Sequence, residues 1–274
     1  MRLFSLLFCV LLVSCSSLQQ DVVLPDEKVP VYTAMKAGSP MVMDGILDEP
    51  AWQKAKPVGA FKFQWYKSGE KEQTEAKIVW DDENIYFAFK CDDKHVSADV
   101  RDQFGGVSRD DCCEAFIRPS PSGAENLDYL NYEINCIGTR LLGYHARSRD
   151  LNFYWKDVTG IEIGRTINGT CNNDEDIDEG WVLEFSVPFY HFAAFQTRYN
   201  VARREPPTPE PTRVEGFKAS FPPKNGQVVY IGLHRCGGKT NLQYSQWAPS
   251  QTPRPNFHRP EDFGKVIFST KVLR

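Results

Sequence analysis

Between Glu75 and Cys91 apolar and polar positions alternate. Ile85, Phe87, Phe89 and Cys91 share one side, and Tyr86, Ala88 and Lys90 the other. A period of two is that of a half-buried strand. A preceding strand ending near Trp80 and the turn residues Asp81, Asp82, Glu83 and Asn84 complete a predicted hairpin. Further strands are predicted at Asp111 to Arg118, Tyr129 to Cys136, Arg140 to Tyr144, Gly160 to Ile167, Trp181 to Val187, Val228 to Leu233 and Val266 to Phe268. Many short strands with few helical runs predict an all-β fold, an antiparallel β-sandwich of jelly-roll type. Asp48 is placed to cap a short helical turn through Glu49 and Pro50, with Trp52 anchoring that turn to the core. Between Thr197 and Asn225 stand Pro206, Pro207, Pro209, Pro211, Pro222 and Pro223 with little apolar periodicity, which reads as a long Pro-rich surface loop.

The first residues carry a different pattern: Arg2, an apolar run from Leu3 to Val13, then Ser14 and Cys15. This is an export signal, too short to span a bilayer. Leu12-Val13-Ser14-Cys15 resembles the lipobox of bacterial lipoproteins, which implies a signal peptide over 1–14, lipidation of Cys15, a polar tether over 15–28 and one domain over 29–274. The expected location is the cell envelope, outer membrane or periplasm, with the membrane reached only through the lipid.

Charge excludes one class of partner. Without residues 1–14 the chain has 31 basic and 36 acidic residues, the wrong sign for a binder of nucleic acid. Six cysteines follow Cys15, namely Cys91, Cys112, Cys113, Cys136, Cys171 and Cys236. An oxidising envelope permits bridges and about 15 pairings are possible. Cys112 and Cys113, adjacent in a strand, leave on opposite faces and do not pair with each other. No C-x-x-C is present, which argues against a zinc ribbon or a thioredoxin-type site.

Five blocks occur in order: Asp44-Gly45-x-x-Asp48-Glu49-x-x-Trp52, Trp80-Asp81-Asp82-Glu83-Asn84-Ile85-Tyr86-Phe87, Asp111-x-x-Glu114-Ala115-Phe116-Ile117, Gly180-Trp181-x-x-Glu184, and Phe257-His258-Arg259-Pro260-Glu261-Asp262-Phe263-Gly264. Together, over roughly residues 35–270, they resemble carbohydrate-binding module family 9. The resemblance implies a sandwich that holds an oligo- or polysaccharide between aromatic rings, with polar side chains around the sugar. Phe257 matches one clamp aromatic. The other clamp position falls near Ser108, ahead of Asp111, where Phe104 substitutes if the Gly105-Gly106 loop folds back. Glu114 matches a glutamate that hydrogen-bonds sugar, while Glu133 stands where an arginine is usual, so the ligand is expected to differ from the family's common ones. Trp247 is expected on the rim. A pyranose fits such a site because its C–H faces stack on rings and its hydroxyls need fixed partners.

No cofactor is required by this reading. Structural calcium is a family feature, for which Asp44, Asp48 and Asp81 are the candidates. Asp174, Asp176 and Asp178 alternate as in a calcium loop, but Glu179 and Phe185 occupy the places of its glycine and bidentate glutamate. A glycoside hydrolase using Glu114 and Glu133 remains a second reading, since such enzymes need two carboxylates about a glycosidic bond. A haem carrier or a purely structural envelope protein is a third, against which stand the few histidines and methionines and the absence of a C-x-x-C-H.

Overall fold

The β2–β3 hairpin forms where alternation places it, and one aspartate makes its turn. In the computed structural model, which describes residues 29–119, 127–146, 151–154, 160–192 and 222–274, Asp81 Oδ1 accepts from the amides of Glu83 and Asn84, both at 2.8 Å. Its Oδ2 accepts from the Tyr86 hydroxyl at 2.6 Å. The strands in chain order are β1 (Val31–Ala37), β2 (Thr74–Trp80), β3 (Asn84–Cys91), β4 (Cys112–Arg118), β5 (Tyr129–Asn135), β6 (Arg140–Ala146), β7 (Leu151–Tyr154), β8 (Ile163–Asn168), β9 (Gly180–Pro188), β10 (Val228–Cys236), β11 (Tyr244–Gln246) and β12 (Gly264–Leu273), with the short helix α1 (Pro50–Lys54) between β1 and β2.

Hydrogen bonding runs continuously in the order β7-β6-β5-β4-β10-β12-β1-β2-β3-β9-β8, with β11 attached to β10. The sheet folds over so that Ala115, Ile117, Leu130, Tyr132, Ile231 and Leu233 of one half meet Ile78, Phe87, Phe89, Leu183 and Phe185 of the other in one core. Across it the rings of Tyr132 and Phe185 lie 6.5 Å apart. The β-sandwich expected from the strand pattern is therefore present, but it is not wholly antiparallel. β1 runs parallel to both β12 and β2. The chain between β1 and β2, which includes α1, is long enough for the crossover that parallel neighbours require.

The outer face of the β2-β3-β9 half is not solvated as half-buried alternation predicts. Tyr86 and Ala88 pack with Ala51, Trp52 and Ala55 in a second apolar layer. Trp52 Nε1 donates to Glu184 Oε2 at 2.9 Å, and Glu184 Oε1 accepts from the amides of Gly45 and Asp44 at 2.7 and 3.0 Å. Gly45 has φ +87°, and a Cβ there would meet the Arg165 backbone at 2.4 Å, so glycine is needed for this close approach. The Asp44…Trp52 and Gly180…Glu184 blocks are thus two ends of one buried clasp. Asp48 does not cap the helix. Glu49 holds that position without a side-chain cap bond, and its Oε1 accepts from the Val42 amide at 2.9 Å.

The expected signal peptide over 1–14, the expected lipidation site Cys15 and the expected tether over 15–28 lie outside the described residues, as does most of the Pro-rich segment. Among the described residues no helix is long and apolar enough to cross a membrane.

Candidate functional site

Alternation on β4, β5 and β10 sends every second side chain away from the main core. Glu114, opposite Glu133 on β5 and opposite His234 on β10, is one of these. Glu114 and Glu133 form the floor of a concavity, with His234 buried beside Glu114. Segment 106–109 makes one wall, Leu141 and His145 of β6 another, and β11 with segment 255–258 a third, enclosing about 730 Å³.

Glu114 and Glu133 line this pocket although only 2% and 5% exposed. Glu114 Oε1 receives only the Cys236 thiol, at 3.6 Å. Its Oε2 lies 3.3 Å from His234 Nδ1, but the two are misaligned for a hydrogen bond, and both atoms are buried without a partner among the described residues. Glu133 Oε1 accepts from Asn131 Nδ2 at 2.7 Å, and Asn131 Oδ1 lies 2.9 Å from His145 Nε2. Burial pushes the Glu114 carboxyl up to about 8. Burial, then the neighbouring Glu114, hold Glu133 well above the carboxylate range. Burial lowers His234 to about 3. At pH 7 both carboxyls therefore keep their protons beside a neutral imidazole, and each can give as well as accept a hydrogen bond.

Aromatic groups surround this floor. Phe257 lines the pocket, yet one of its faces lies on His234 at 4.4 Å and 6°. Trp65 and Tyr244 pack about it at 5.7 and 6.1 Å, leaving Phe257 8% exposed. It is a wall, not the open stacking platform that the sequence suggests. Tyr244, partly exposed on the same pocket, is the more available ring. Sequence reading passed it over because β11 is only three residues long. His145 stacks on Tyr129 at 4.7 Å and 3°, and the Tyr129 hydroxyl meets His258 Nδ1 at 2.6 Å.

Three other expected residues lie elsewhere. Trp247 is 3% exposed within the main core, edge-on to Tyr32 and against Gly264, where a Cβ would lie 2.3 Å from the indole. It is not on the rim, because burying its ring locks β12 onto the sheet. Phe104 has φ +66° and packs against the main core and against the apolar cluster of Phe116, Tyr129 and Phe257. Gly106 and Ser108 line the pocket in its place, so no second clamp ring stands there. Asp111 belongs to a buried ionic cluster: Arg235 donates to Asp93 at 2.8 Å and reaches Asp111 at 3.3 Å, and Asp111 also accepts from the amides of Ser97 and Gly238. An acid so occupied is structural.

The calcium candidates do not converge. Both oxygens of Asp81 are engaged in the hairpin turn, Asp44 Oδ1 accepts from the Ile46 amide, and among the described residues no group of three or more His, Cys, Asp or Glu is placed to hold a metal ion. In the acidic stretch near 174–179, Asp178 is 4% exposed and accepts from the amides of Val96 and Thr170 at 2.8 and 2.7 Å.

The chain is similar in fold to three solved structures. A carbohydrate-binding protein of Bacteroides uniformis ATCC 8492, described as putative in its own report, shares 19% identity over 88% of this chain and 100% of that one, with a TM-score of 0.64. Family 9 modules from Caldicellulosiruptor kristjanssonii in complex with cellotriose and with glucose share 12% and 13% identity over 88% of this chain and 94% and 96% of theirs, with TM-scores of 0.53 and 0.51. No curated protein matches. The sequence profile described as Carbohydrate-binding family 9 matches residues 44–201, more than half of the chain. With the ordered blocks, the folded-over sheet and the pocket on its outer face, this match establishes that the chain belongs to carbohydrate-binding family 9.

Proposed function

We propose that this protein is an exported, lipid-anchored glycan-binding protein of the cell envelope, which captures an oligo- or polysaccharide in the pocket over β4, β5 and β10 and supports polysaccharide capture or catabolism. One observation carries the placement: a carboxyl pair, Glu114 and Glu133, is buried on the pocket floor with a Glu114 oxygen left unpartnered. An unmade hydrogen bond at a buried polar atom costs about 1–3 kcal/mol, so such an atom at an open pocket calls for a ligand partner. A sugar hydroxyl both gives and accepts, as does a protonated carboxyl. Tyr244 offers the ring face for a C–H surface of the sugar. The cellotriose and glucose held by the Caldicellulosiruptor modules give the first ligands to try.

The same geometry favours binding over hydrolysis. Glu114 and Glu133 rise side by side from adjacent strands of one floor and meet a ligand from the same side, whereas a hydrolase places its two carboxyl groups on either side of the bond to be cut. Affinity should be modest, on the order of micromolar or weaker, because the site is small and polar. Isothermal titration with cellotriose and with glucose tests the reading. Saturable heat that Tyr244→Ala diminishes supports it, and heat that Tyr244→Ala and Glu114→Gln both leave unaltered moves the site elsewhere. For the anchor, mass spectrometry of the membrane fraction should find an acylated Cys15, and a chain beginning at Met1 would contradict it.

A further inference from the structure

The six cysteines of the described body come together two by two. Cys91 on β3 and Cys113 on β4 meet across the main core, Sγ to Sγ 3.4 Å. Cys112 and Cys236 are directly opposed on the antiparallel strands β4 and β10 and share the apolar cluster beneath the pocket. Cys136 and Cys171 flank one extended segment: Cys136 Sγ lies 3.8 Å from the Ser97 carbonyl, while Asn172, next to Cys171, donates from its amide to Val96 and from Nδ2 to Ala98, at 2.8 and 2.9 Å.

We propose that these pairs become three disulfides, Cys91–Cys113, Cys112–Cys236 and Cys136–Cys171, when the exported chain folds in an oxidising compartment. Timing alone rests on the export proposed above; the pairing rests on the fold. Opposed residues of an antiparallel pair have Cα atoms about 4.5–5.5 Å apart, within the range of about 4.4–6.8 Å that a disulfide spans. Cys112–Cys236 can therefore close without a backbone shift of consequence. A side-chain rotation brings Cys91 and Cys113 from van der Waals contact to bonding distance. Cys112 and Cys113 leave opposite faces of β4, one into each cluster, which separates the first two bridges.

The chemistry is thiol–disulfide exchange with a small disulfide donor such as oxidised glutathione. One cysteine thiolate attacks a donor sulfur, giving a mixed disulfide and one donor thiolate. The partner thiolate then attacks the protein sulfur of that mixed disulfide and releases the second donor thiolate. Two protein thiols are oxidised by two electrons, the donor is reduced by the same two, and the two protons end on the released thiolates. Burial raises the thiols of Cys112, Cys113 and Cys236, so the exchange belongs to folding and not to the finished fold. Cys112–Cys236 would fasten β4, which carries Glu114 to the pocket floor, to its neighbour β10.

Refolding the full chain from denaturant in a mixture of reduced and oxidised glutathione, alkylating residual thiols and mapping peptides without reduction tests the assignment. Partial reduction and the single variants Cys112→Ala and Cys113→Ala resolve the adjacent pair. The expected result is the three named links, with Cys91 alone freed by Cys113→Ala and Cys236 alone freed by Cys112→Ala. Adding reductant to the bridged protein should lower Tm by roughly 6–12 °C for each bridge lost. Links between Cys91 and Cys236, any other pairing among these six cysteines, or alkylation of all six in the folded wild-type chain would overturn the proposal. Those outcomes leave sugar binding, measured separately on the same preparation, untouched.

Discussion

Replacing Glu114 and Glu133 together by glutamine keeps their shape and removes their titration. In the folded wild type Glu114 holds its proton to about 8, whereas the same residue in an unfolded chain releases it near the ordinary 4.5. Between these values the folded state binds the extra proton. Stability is then fully present below the unfolded value and is lost as pH rises toward the folded one, by about 1.4 kcal/mol per pH unit for each retained proton. From pH 5 to pH 8 Glu114 alone removes about 4 kcal/mol, and Glu133, raised for the same reason, acts in the same direction. Asp93, raised to about 7 by burial, contributes a similar slope to both proteins and cancels in their difference. Urea unfolding at half-unit steps from pH 5 to pH 9 should show the wild type losing stability steeply while the double variant loses much less. Profiles that run parallel would refute the buried, protonated pair.

Three further outcomes follow from the packing. Phe257→Ala should destabilise by about 3 kcal/mol, because the ring fills the space between His234, Trp65 and Tyr244; thermal unfolding reads this as a fall of several degrees. Tyr244→Ala should leave Tm nearly unchanged and weaken a bound sugar five- to tenfold, about 1–1.4 kcal/mol, in a titration. Trp52→Phe should cost about 1–3 kcal/mol in denaturant unfolding, since Glu184 Oε2 loses the indole donor that holds the 44–52 segment to β9.

What the residues disclose in advance follows the reach of their interactions. Hairpin β2–β3 and strands β4, β5, β9 and β10 were legible because alternation and turn chemistry are local, and the five ordered blocks place them in one fold. β1 and β11 were not: the former has little alternation and gains its place by parallel pairing with β12 and β2, and the latter holds only three residues. Glu114 and Glu133 were legible as carboxylates able to face each other on neighbouring strands, and the register sets them directly opposite. The roles of Phe257 and Trp247 turned on contacts with His234 and Gly264. An aromatic in a loop reads the same whether a distant residue covers it or leaves it open. Asp111 read as a site acid for a similar reason: its partner Arg235 lies on another strand.

Whether the Glu114–Glu133 floor receives a saccharide is read from a glycan array probed with the body from residue 29 onward, wild type and Glu114→Gln/Glu133→Gln side by side. The wild type should hold a defined set of glycans that the double variant releases. The same glycans held equally by both proteins, or none held by the wild type, would contradict it.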